Sequence, residues 1–193
     1  MATGQELPIV EAPDQRAWRK WLAANHDRAP GAWLKFAKKG SRHRTVDYAA
    51  ALEEALCFGW IDGQVRRFDQ DFYLQRFTPR RKSSRWSQLN REKATRLIEE
   101  GRMQPSGLAQ VEAAKADGRW EAAYPAQSQA TVPDDFQQAL DENPAAARFF
   151  ATLSGAARYA FLYRLHNAHE PKARARRIAD YVKRLSAGKT LTG

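Results

Sequence analysis

Between residues 57 and 90 the chain gathers the side chains best suited to holding a ligand: Trp60, Asp62, Gln64, Arg66, Arg76, Arg80, Trp86 and Asn90. Arginine offers a planar fork that matches a carboxylate or a phosphate in two hydrogen bonds at once. Tryptophan offers a flat face on which a ring or a nucleobase stacks. Asp62 serves either as a base or as the partner of an arginine. Asn90 precedes Ala94 and Leu97 on one helical stripe, and a polar group turned inward needs a partner. These eight residues form the expected site for a small anionic or aromatic ligand. A plainer reading stands beside it, in which Asp62 makes an ordinary ion pair and the tryptophans belong to the core. An enzyme on a small polar substrate, using Asp62 with Arg66 or Arg76, is the alternative. No residue is assigned a catalytic role.

Cys57 ends a helix, beside Phe58, Gly59 and Trp60. A helix C-terminus disfavours a thiolate, so a buried, inert thiol is expected. His166 and His169 have a spacing that two metal ligands use, but the sequence supplies no third or fourth ligand near them. No metal and no cofactor are expected. The phosphate-cradling, nucleophile-elbow and zinc-helix motifs are absent.

Charge is unevenly spread over the 193 residues, which carry a formal +10. Residues 64–96 hold ten Lys/Arg against three Asp/Glu, and residues 154–193 hold nine against two. Residues 97–153 between them hold four against nine. Arg174, Arg177, Tyr181 and Arg184 fall at helical spacing and predict one exposed basic stripe, with Ile178, Val182 and Leu185 facing inward. That stripe meets solvent or the acidic run at 134–142, or it tracks a phosphate backbone. Nucleic acid bound through Arg174, Arg177 and Arg184 would be held weakly and without sequence selectivity.

The elements that carry these residues follow from periodicity and caps. Asp14 caps a first helix bearing Trp18, Trp21 and Leu22, and Asn25 ends it. Residues 31–38 alternate as a half-buried strand with Leu34 and Phe36 on one face. Asp47 caps a second helix that Gly59 breaks. Residues 59–67 and 72–77 form a hairpin around Asp69-Gln70-Asp71. Period two there puts Ile61 and Val65 on one face and Trp60, Asp62, Gln64 and Arg66 on the other. The pairing register stays open, and a shift of one swaps Gln75 with Arg76. Trp86 or Ser87 opens a helix through Leu89, Ala94, Leu97 and Ile98, which Gly101 closes. Pro105 opens another with Leu108 and Val111. Beyond an Ala/Gln/Ser-rich connector, four helices start at Pro133, Pro144, Ser154 and Pro171, the last ending at Gly188.

Three runs carry a family likeness: Glu53-Glu54-Ala55-Leu56-Cys57-Phe58-Gly59-Trp60-Ile61-Asp62-Gly63, Tyr73-Leu74-Gln75-Arg76-Phe77-Thr78-Pro79-Arg80, and Trp86-Ser87-Gln88-Leu89-Asn90. With Ser154, Tyr159 and the run 172–178, they make the chain resemble the YdeI/OmpD-associated, or bacteriocin-protection, family along nearly all its length. At 172–174 it has Lys-Ala-Arg where the resemblance implies Glu-Thr-Arg. The resemblance implies a role in envelope stress or bacteriocin tolerance and brings no reaction with it.

The expected fold is α+β: a small antiparallel sheet with packed helices over 1–120, a connector over 121–132 and a helical module over 133–193. No run approaches the roughly 20 apolar residues of a membrane helix, and the start lacks a basic-then-apolar leader, so a cytoplasmic protein without membrane insertion is expected. The expected partner is a small anion bound without chemistry. The oligomeric state is left open.

Overall fold

Several helix starts are fixed by a side chain that satisfies an otherwise unpaired backbone N–H. In the computed structural model, which describes residues 6–191, Asp14 accepts from Ala17 N at 2.8 Å to open α1 (Gln15–Asn25). Asp47 accepts from Ala50 N at 2.9 Å to open α2 (Tyr48–Cys57). Ser87 accepts from Asn90 N at 3.1 Å to open α3 (Gln88–Glu99), and Pro105 is the first residue of α4 (Pro105–Ala116). Gly59 leaves α2 at φ +75°, a conformation that side chains with a Cβ rarely adopt. The expected segments at residues 1–5 and 192–193 lie outside the described residues.

Four strands form one sheet in the order β1-β2-β4-β3: β1 (Ile9–Glu11), β2 (Ala32–Ala37), β3 (Trp60–Arg67) and β4 (Phe72–Pro79). β2–β4 and β4–β3 are antiparallel, as the hairpin pattern requires. β1 runs parallel to β2, so the sheet is mixed rather than wholly antiparallel. The cause is the connection: α1 carries the chain back between β1 and β2, and a strand–helix–strand crossover delivers parallel neighbours.

The chain divides into two compact units, residues 1–123 and 124–193. In the first, Ala32, Leu34, Phe36 and Phe77 point from one face of the sheet into a core with Trp18, Leu22, Leu56, Trp60 and Leu97. The second is helical: α5 (Asp134–Asp141), α6 (Pro144–Thr152), α7 (Gly155–His166) and α8 (Pro171–Ser186). It closes on Phe136, Leu140, Phe150, Phe161, Leu165, Tyr181 and Leu185. Among the described residues no helix is long and apolar enough to cross a membrane.

Candidate functional site

The hairpin decides where the expected site residues go. Asp62 pairs with Phe77, whereas Val65 pairs with Gln75. Three steps along β3 therefore oppose two along β4, and the extra residue is a bulge around Gly63. Gln75 Nε2 donates to the Gly63 carbonyl at 2.8 Å and spans the irregularity. A one-residue bulge reverses parity. Trp60 and Asp62 stay on the helix-facing side of the sheet, while Arg66 pairs with Leu74 and emerges on the opposite side. Arg76, opposite Trp33, joins it there. Strict alternation across 60–66 is thus corrected, and Asp62 does not share a face with either arginine.

The other expected residues disperse. Trp60 is wholly buried, donates its indole N–H to the His26 carbonyl at 3.1 Å and meets Trp21 edge-on. Trp86 is 1% exposed and packs edge-on against Trp120. Both tryptophans are core side chains and offer no stacking face to a ligand. Arg80 is itself buried, with its guanidinium 3.7 Å from the centroid of the Trp86 ring and a hydrogen bond to the Arg85 carbonyl. Asp62 accepts from the Tyr48 hydroxyl at 2.7 Å. Gln64 is exposed in the bulged strand, and Asn90 is half-buried in the first turn of α3. Of the eight residues, Arg66 and Arg76 share one surface, and their aromatic companion is Trp33. The Arg66 guanidinium lies 4.5 Å from the centroid of the Trp33 ring.

Behind α2 lies a charged network. The Glu54 carboxylate is buried and accepts from Gln15 at 2.6 Å, Arg19 at 2.5 Å and Arg102 at 2.9 Å. Arg102 reaches on to Glu53 and Glu100, and Arg96 bridges the same two acids. Cys57 sits beside it, fully buried. Burial above all, and then the Glu54 charge, push its thiol up to about 11, against a smaller downward pull from Arg102 and Arg19.

In the helical unit the expected basic stripe is split. Tyr181 is 3% exposed and belongs to the core, where it meets Phe161 edge-on at 5.0 Å. Arg174 turns to Asp135, with contacts of 2.6 and 2.8 Å, and to the Leu165 carbonyl at 2.5 Å. This ion pair holds the Asp135 carboxyl below its ordinary range. Arg174 is therefore occupied within the fold, by the acidic run that the sequence offered as its partner. Ile178 and Val182 are half-buried and line an apolar groove beside it, of about 710 Å³.

Arg177 and Arg184 face the other way. With Arg164 from α7 and Arg176 they surround an open cavity of about 440 Å³, in which Asp180 is the one acid among the described residues and Tyr181 part of the wall. Asp180 pairs with Arg184 at 2.8 Å, and Arg177 donates to the Arg164 carbonyl at 2.8 Å. Among the described residues, four cations thus surround one site with a single carboxylate. The sequence reading missed Arg164 and Arg176. Arg176 sits within the basic run and its charge was visible, but Arg164 comes from another helix and only the α7–α8 packing brings it there. Among the described residues no group of three His, Cys, Asp or Glu could hold a metal.

Fold and site together define a two-unit protein: an α+β unit on a mixed sheet, and a four-helix unit with an arginine-lined cavity. Residues 10–110, more than half of the chain, match the family described as "Domain of unknown function (DUF8412)", and the chain belongs to that family. Residues 129–188 match the family "Bacteriocin-protection, YdeI or OmpD-Associated", the one that the sequence resembles. The likeness at 53–90 falls inside the first match, and the run 172–178 inside the second. No curated protein and no solved structure matches the chain.

Proposed function

We propose that this protein is a non-enzymatic binder of a small anionic ligand, held between α7 and α8 by Arg164, Arg176, Arg177 and Arg184. The observation that carries the reading is the convergence of four guanidinium groups on one 440 Å³ cavity that, among the described residues, holds a single acid. Guanidinium is weakly hydrated and forked, so it suits a ligand bearing phosphate or several carboxylates. The volume falls within the range of small-molecule sites. Since Asp180 engages Arg184, the net charge facing the ligand is positive. The dispersal of Asp62, Arg66 and Arg76 over both faces of the sheet supports binding here over chemistry there. The cavity lies within the segment matched by the bacteriocin-protection family, which supports bacteriocin tolerance as the setting.

Calorimetric titration with inorganic phosphate, pyrophosphate and citrate tests the reading. Binding should raise the melting temperature by mass action, and Arg176→Ala with Arg184→Ala should abolish both heat and shift. Equal binding by that double variant would remove the assignment. In cells, the same variant should fail to restore bacteriocin tolerance to a strain lacking the protein.

A further inference from the structure

We infer that the outer face of the four-stranded sheet in the first unit is a platform for single-stranded nucleic acid. Strand alternation sends Leu34, Phe36 and Phe77 into the helix-covered core. Their neighbours Trp33, Lys35, Leu74 and Arg76 point the opposite way; Leu74 is itself wholly covered, while Trp33, Lys35 and Arg76 are half-buried. Ile9 on the edge strand and Phe68 at the hairpin tip leave 43% and 45% of their surface in solvent.

On this face cations and rings interleave. Arg66 lies over Trp33 at 4.5 Å, and the Lys35 ammonium sits 4.1 Å from the Phe72 ring centroid and 5.1 Å from that of Phe68. His43 stacks obliquely on Phe72 at 4.8 Å and ties the β2–α2 loop to the same surface. Residues 38–44 of that loop carry four Lys/Arg and no acid. Glu11 is the one acid at the paired strand positions of this face among the described residues, and Lys35 holds it at 2.8 Å.

Such a surface is complementary to a flexible polyanion with exposed rings. Unpaired bases stack on aromatic side chains whatever their sequence, while neighbouring cations follow the phosphates. A duplex hides its bases, and a broad sheet face does not enter its major groove as a helix or a two-stranded ribbon does. The Arg66–Trp33 contact is no obstacle. Arg66 is exposed, a contact of that kind is weaker than base stacking on the same ring, and the exchange frees Arg66 for phosphate. The inference stands on the sheet and is independent of the arginine cavity.

The test is fluorescence anisotropy of the full chain with a labelled oligothymidine of about twelve nucleotides, within the usual site size, and with a duplex of equal length. The single strand should bind at least about ten-fold more tightly than the duplex, with affinity falling steeply as salt rises. Arg66→Ala with Arg76→Ala should weaken it about ten-fold or more, as loss of two phosphate contacts implies. Phe68→Ala, at an exposed position, should weaken it several-fold at an unchanged melting temperature and serves if the double variant folds poorly. Arg176→Ala with Arg184→Ala should leave it unaltered. Absence of binding, a duplex bound equally well, or loss only in the Arg176/Arg184 variant would overturn the inference.

Discussion

Gly107 presses directly on the backbone of Cys57: a Cβ built on it would stand 2.3 Å from the Cys57 carbonyl oxygen and 2.9 Å from that of Leu56. The C-terminal end of α2 meets α4 there, and Gln104 N donates to the same Cys57 carbonyl at 3.0 Å. Both crowded atoms are backbone, so neither can move aside alone. Gly107→Ala should therefore cost about 3 kcal/mol through overpacking, although alanine is the better helix former. Denaturant unfolding measures it; a neutral or stabilising result would mean that the helices separate freely at this point.

Glu54 is the hub of the charged network, with two arginines and a glutamine on one buried carboxylate. Removing one partner of such a group leaves the others desolvated and unpaired. Glu54→Ala should lower stability by about 2–3 kcal/mol, reduced from the fully buried case because Arg19 and Arg102 keep partial solvent contact. Equilibrium unfolding should show Arg102→Ala costing less, since Glu54 retains Arg19.

Cys57 binds its proton more tightly in the folded protein than in the unfolded chain, with a thiol pushed up from 9.0 to about 11. A raised value stabilises the fold fully below pH 9, and that contribution is lost as pH rises towards 11. Its size is on the order of 3 kcal/mol. The difference in stability between the wild type and Cys57→Ala should shrink across that window. Thiol-reactive reagent should label Cys57 slowly in the native protein and rapidly after denaturation. Fast native labelling would contradict its burial.

The legibility of the sequence broke where local rules ceased to be local. Asp14, Asp47 and Ser154 cap the helices expected to start at them, and of Trp86 and Ser87 it is Ser87 that caps α3, because capping needs only the next few residues. Alternation in β3 held up to Asp62 and then reversed, since Gly63 marks a bulge without saying which strand takes the extra residue. Leu89 and Leu108, named among the apolar residues of their helices, are 48% and 38% exposed, each in the first turns of its helix. β1 has three residues, too few for any period to show. Trp33 escaped notice because its significance comes from Arg66, whose face the bulge decides.

The two halves of the expected basic stripe should separate by mutation. Arg174 joins α8 to Asp135 of α5 and to the Leu165 carbonyl near the end of α7, so its work is structural. Arg176 faces the cavity and makes no ion pair among those resolved in the described residues. Arg174→Ala should lower the stability of the helical unit by about 1 kcal/mol, the scale of a half-exposed pair with one further hydrogen bond. It should leave pyrophosphate affinity nearly unchanged. Arg176→Ala should do the reverse. The acid limb gives a second readout. Asp135, held low by Arg174, contributes stability above its ordinary value of 3.8, and that contribution disappears as pH falls through its lower folded value. In Arg174→Ala this part of the acid sensitivity should vanish, whereas Arg176→Ala should keep it. If Arg174→Ala instead weakened anion binding as strongly as Arg176→Ala does, α8 would present a single anion-binding face, and the division drawn between its two sides would be wrong.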